Sequence, residues 1–116
     1  MPAKKNREVT AADVVKYARA LLAKRGGWTK GCYARDSEGN AVHEARPEAC
    51  SFCAKGAIYR AVHDLNPLQS VYHRAVAVFL ADGEYSLIGF SDAQTTKAPV
   101  LRKFDKAIAK LEASNG

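Results

Sequence analysis

Three cysteines and three histidines give this chain its widest chemical range. Cys50 and Cys53 form a Cys-x-x-Cys pair, the spacing at which two thiolates one turn apart bind a single zinc ion. Cys32 and His43 are the side chains a hairpin would bring across to complete the set. A second Cys-x-x-Cys or a His-x-His would normally accompany such a pair, and the sequence has neither. The pair also falls in an apolar stretch, where cysteine behaves as a small hydrophobe. Free thiols, buried or half-buried, are therefore the expectation, with no metal and no cofactor.

Other thiol and imidazole chemistries fare no better. Zinc deaminases carry His-x-Glu, a long gap and Pro-Cys-x-x-Cys. Here Glu44 adjoins His43, the gap is short, and Pro47 is not next to Cys50. A thioredoxin-type Cys-x-x-Cys needs a βαβ setting, and no parallel pattern is visible. A nucleophilic Cys–His pair would draw on Cys32, Cys50 or Cys53 with His43, His63 or His73, and only geometry identifies one. Asp92 could act as a catalytic carboxylate, but an Asx-turn or helix cap explains it more simply. The sequence holds no Gly-rich phosphate loop, nucleophile elbow or paired-carboxylate motif. No complete catalytic set is expected.

Polyanion binding is the other chemistry the residues admit. The net charge is +6, from 18 basic and 12 acidic residues. Most of the excess lies at the ends: Lys4, Lys5 and Arg7 at one, and Arg102, Lys103, Lys106 and Lys110 at the other. These are the candidates for phosphate contacts. Lys30 and Arg35 lie beside Trp28 and Tyr33, the mixture of cations and aromatic rings that suits phosphate contact with base stacking. The plainer reading is a solvated tail, a solvated helix face, and a Trp28 that anchors a hairpin to the core.

The elements that must position these residues read as follows. A chain of 116 residues, 47% hydrophobic and 26% charged, has room for one globular domain with its own core. We expect a flexible basic tail over 1–10 and a single domain over 11–113. The longest apolar run, Ala75 to Ala81, is too short to span a bilayer. No secretory leader is apparent and the cysteine count is odd, so a cytoplasmic, non-membrane protein is expected. Thr10 with Asp13 is an acidic capping box opening a helix from Ala11 to Arg25, stopped by Gly26-Gly27. Trp28 to Arg35 suits a strand, Asp36 to Asn40 a turn, and Ala41 to His43 a short return, giving a β-hairpin over about 28–43. A second, buried helix is expected from Pro47 to about Asp64, with Cys50 and Cys53 inside it. Gly56 within that helix costs about 1 kcal/mol relative to Ala, which a close approach by another element would explain. Asn66-Pro67 reads as the start of a third helix closed by Asp82-Gly83, although Val76 to Leu80 also fits a strand. Residues 84–97 read as irregular, with a short extended piece at Tyr85 to Phe90. Thr95 or Thr96 would cap a last helix with Pro99 in its first turn. The class expected is α+β, mainly helical, with about four helices around a short hairpin.

Several of these pieces recur together: Gly26-Gly27-Trp28, the hairpin to Asp36 followed by Gly39, Cys53-Ala-Lys-Gly-Ala57 with Arg60-Ala61, Phe90-Ser-Asp92, and Val100-Leu with Phe104 to Ile108. In this order they resemble a family of small bacterial and phage proteins known only as a domain of unknown function, over roughly residues 11–111. The resemblance implies a helical domain with a hairpin and supplies no activity. Cys53 belongs to its pattern, whereas Cys32, His43 and Cys50 do not clearly belong. Ser91-Asp92 stands where the family usually has Asn-Asp, which puts a catalytic role for that pair in doubt. Trp28, Tyr33, Cys53 and Asp92 are the residues that could converge on a ligand cleft. The leading expectation is thus a small binding or accessory protein without catalytic activity, with a protein or nucleic acid among its partners. The alternatives are a nucleic-acid-associated module using the basic termini, and an enzyme or zinc protein centred on Cys53.

Overall fold

The computed structural model describes residues 8–80, 90, 91 and 93–114. Among these residues four helices and a two-stranded antiparallel sheet are defined, the mainly helical α+β arrangement expected. Helix α1 spans Ala11–Ala23 and lies at the centre, packing on the three other helices. Thr10 Oγ1 accepts from the Asp13 amide while Asp13 accepts from the Thr10 amide, so the capping box forms as read. Val9 and Val14, at the two positions of a hydrophobic staple, are both buried. Val15, Ala18 and Leu22 extend the buried face. The helix ends two residues earlier than expected, and Gly26 supplies the positive φ of the turn that follows.

The hairpin forms with a different partner strand. Strand β1, Ala34–Arg35, pairs with β2, Ser51–Phe52, in the register Ala34 to Phe52 and Arg35 to Ser51. Residues 41–43 contribute only a bridge between Ala41 and Arg35. The turn is as read: Asp36 Oδ1 accepts from the amides of Glu38 and Asn40. After it the chain turns away near His43 and returns at residue 50, where Cys50 N donates to Arg35 O. Trp28 bridges to the far side of Phe52.

Helix α2, Ala54–Leu65, therefore starts seven residues later than Pro47 suggested. Residues 50–52 belong to the sheet edge and Cys53 is the N-cap. The apolar run from Ala49 misled because residues 51–53 are buried in a strand and cap as thoroughly as a helix would bury them. Gly56 has the close neighbour its cost implied: a Cβ there would stand 2.0 Å from Tyr33 O.

Asn66 opens no helix. It closes α2 in the left-handed conformation, φ 49°, donating its amide to Val62 O. Helix α3, Gln69–Leu80, begins three residues later and settles residues 76–80 as helical. Its expected end at Asp82-Gly83 and most of the piece at 85–90 lie outside the described residues. Helix α4, Ala98–Ala113, has Pro99 in its first turn, but its N-cap is Lys97 with no side-chain cap, so neither Thr95 nor Thr96 serves. Lys97 instead closes α1, its ammonium donating to the carbonyls of Leu22, Ala23 and Lys24. The core gathers Val14, Val15, Leu22, Ile58, Phe79, Val100 and Phe104, with Phe79 and Phe104 ring centroids 4.9 Å apart. None of the described helices is long and apolar enough to cross a membrane.

Candidate functional site

Among the described residues, a groove of about 270 Å³ opens between α1, α2 and the segment entering β2. Leu21, Ala49 and Phe52 give it apolar walls, and Tyr17, Lys24, Cys50, Arg60 and Asp64 give it polar ones. The helices fix these side chains by periodicity. Tyr17 and Leu21 are one turn apart on α1 with Lys24 its C-cap, and Arg60 and Asp64 are one turn apart on α2.

Arg60 organises the floor. Its Nε donates to both Asp64 oxygens at 3.1 and 3.2 Å, and Nη1 donates to the carbonyls of Glu44 and Arg46 at 3.0 and 2.9 Å. The guanidinium thereby pins the 43–46 turn onto α2, with the Phe52 ring centroid 5.8 Å from its Cζ. Nη2 has no hydrogen-bond partner among the described residues. Asp64 also accepts from Tyr17 Oη at 2.6 Å and sits 3.0 Å from His63 Nδ1. Burial opposes ionisation of Asp64, yet the donors from Tyr17, His63 and Arg60 hold its carboxyl below the usual range. Burial, then the hydrogen bond to Asp64, pushes the Tyr17 hydroxyl up to about 12. The floor thus carries an ionised carboxylate, a neutral phenol and a fixed cation.

A second junction unites three of the elements singled out by sequence. Trp28 Nε1 donates to Ser91 Oγ at 3.1 Å, and the Ala54 amide donates to the same oxygen at 3.3 Å. Cys53 N donates to Tyr33 O at 3.1 Å, and Cys53 Sγ accepts from Gly56 N at 3.3 Å. Ser91 and Cys53 are buried here. Trp28 packs against the core as an anchor. Tyr33 stays 41% exposed, and Asp92 lies outside the described residues.

The zinc quartet does not assemble: among the described residues no three His, Cys, Asp or Glu side chains are placed to hold a metal ion. Cys32 Sγ donates to Ala34 O, Cys50 is exposed, and Cys53 caps α2. His43 accepts from the Ala45 amide at Nδ1, which puts its proton on Nε2, 2.9 Å from Glu44 Oε2.

Of the basic candidates, Lys4, Lys5 and Arg7 lie outside the described residues. Arg102, Lys106 and Lys110 are exposed and follow one another at four-residue steps on α4. Lys103 is half-buried, its ammonium 4.7 Å from the Phe90 ring centroid. The acids of α4 face α1 instead, Asp105 pairing with Arg19 and Glu112 with Lys16. Lys30 donates to Gln94 O, and Arg35 to Thr29 Oγ1, Gly39 O and Lys30 O.

Sequence reading missed the groove. Its signal was the Arg60/Asp64 spacing, which is common on solvated helices and gains meaning only when Tyr17 and the 43–46 turn come to meet it.

The model of a family of unknown function, DUF6197, matches residues 6–110, and the chain belongs to that family. No curated protein and no solved structure matches it.

Proposed function

We propose that this member of a family of unknown function is a small binding protein without catalytic activity, and that its groove takes a compact ligand bearing a carboxylate or phosphate. Arg60 carries the reading. Its side chain is only 19% exposed, four hydrogen bonds from Nε and Nη1 hold it rigid, and among the described residues Nη2 is left with donors to offer. A cation already fixed in place loses little entropy when an anion docks. Lys24 supplies a second cation on the rim, while Leu21 and Phe52 suit an apolar body on the ligand. The remaining polar groups of the floor engage one another, which favours recognition over chemistry.

The test is a titration with benzoate and phenyl phosphate, followed by backbone amide NMR shifts. Shifts at Leu21, Ala49, Phe52 and Arg60, weakened several-fold by Lys24→Glu, are expected. Flat spectra up to about 10 mM of either probe, a range covering even millimolar binding, would refute the reading.

A further inference from the structure

Away from the groove, four aromatic rings stand in a row across three elements. Tyr33 and Tyr59 ring centroids are 5.5 Å apart and edge-on, Tyr59 and Tyr72 are 6.5 Å apart, and Tyr72 and His73 are 5.3 Å apart. Lys55 Nζ lies 5.7 Å from the Tyr59 centroid. Among the described residues none of the three tyrosines counts with the apolar core or the side chains packed against it, and none is fully buried. Rings that build no core yet line up from the hairpin to α2 to α3 form a surface in their own right.

The charge of those elements narrows what could cover it. Residues 28–35, α2 and α3 together carry Lys30, Arg35, Lys55 and Arg74, besides the Arg60 of the groove, against one acid, Asp64. That acid is engaged in the groove by Tyr17 and Arg60. Helix α3 has no acidic residue at all. A row of tyrosines, Tyr33 exposed and Tyr59 and Tyr72 half-buried, on elements so poor in carboxylates matches a partner that is anionic along its backbone and carries flat rings. We propose that the Tyr33–Tyr59–Tyr72–His73 row binds single-stranded nucleic acid, the tyrosines stacking on bases while Lys55 and its neighbours meet the phosphates. This surface is independent of the groove and differs from the basic termini.

The experiment is fluorescence anisotropy of the full chain with labelled oligothymidylate and oligouridylate of about twelve nucleotides, within the usual site range. Micromolar binding that weakens between about 50 and about 200 mM salt is expected. Tyr33→Ala and Tyr72→Ala should each weaken it roughly tenfold, and Lys55→Glu should weaken it and flatten the salt dependence. Tyr33→Ala leaves intact the backbone carbonyl against Gly56, so its thermal melt should match the parent. Preference for one oligomer over the other would tell RNA from DNA. No binding at about 50 mM salt would overturn the proposal. So would binding indifferent to the tyrosines but abolished by Arg102→Glu with Lys106→Glu, or self-association through the row with no affinity for either oligomer.

Discussion

On one flank of α2, Arg60 and Asp64 are tied to Tyr17, His63 and two backbone carbonyls. On the other, Tyr59 meets the Tyr33 and Tyr72 rings, the Tyr72 hydroxyl and the Lys55 ammonium. Between them sits Gly56, covered by the Tyr33 backbone. The first flank uses strong polar groups to hold a turn and two helices in register, leaving one guanidinium edge over. The second holds little together and leaves ring surface to solvent. Polar groups that saturate one another build structure, whereas rings that support no core are available to a partner.

The seam between the flanks is the most sensitive point. Helix propensity alone says that Gly56→Ala should stabilise α2 by about 1 kcal/mol. The backbone oxygen 2.0 Å from the new Cβ says the reverse, because neither chain can yield without breaking the pairing around Cys53. A loss of about 3 kcal/mol is expected by urea denaturation, the upper range for overpacking. A gain in stability would mean that the hairpin does not bear on α2.

Arg60→Leu attacks the polar flank. It removes the bonds to Asp64 and to the Glu44 and Arg46 carbonyls, at a cost of about 2 kcal/mol. Tyr59→Leu on the aromatic flank should change stability by only about 0.5 kcal/mol, as for an ordinary surface position. Equal effects in the two variants would erase the distinction between the flanks.

A further effect on the polar flank, smaller than that of Arg60→Leu, is a matter of pH. Tyr17 has its ionisation raised from 10.0 to about 12 in the fold. Its contribution is fully present below the unfolded value and is lost as pH rises through the folded one, since the unfolded chain gives up that proton first. Tyr17→Phe should cost about 1 kcal/mol at neutral pH. It should also flatten the decline in stability between about pH 10 and about pH 12. An alkaline limb unchanged in Tyr17→Phe would separate Tyr17 from Asp64.

Where local signals sufficed, the residues spoke for themselves. Thr10 with Asp13 specifies a helix start within four residues, and Gly26 a left-handed exit. Pro99 marks the first turn of α4, and the stripe from Val100 to Leu111 marks its buried face. Gly56 announced a close neighbour, because a helix tolerates the conformational cost of glycine where no side chain fits. The family resemblance was also legible, because it is a property of sequence order.

Pairing and capping partners were not legible. Residues 50–53 have the same apolar character in a strand as in a helix, and only the pairing with Ala34 and Arg35 makes Ser51 and Phe52 a strand. The cap of α4 and the closure of α1 share one residue, Lys97, whose ammonium reaches carbonyls more than seventy positions away in the chain. Both surfaces proposed here arise in the same manner: Arg60 meets Tyr17 through Asp64, and Tyr59 joins Tyr33 to Tyr72, across three elements each. Sequence by itself determined the helical character, the caps and the amphipathic faces, since those depend on neighbours within a few residues. Tertiary structure decided which strand returns, which cations are engaged and which rings align, since those depend on groups that only the folded chain brings together.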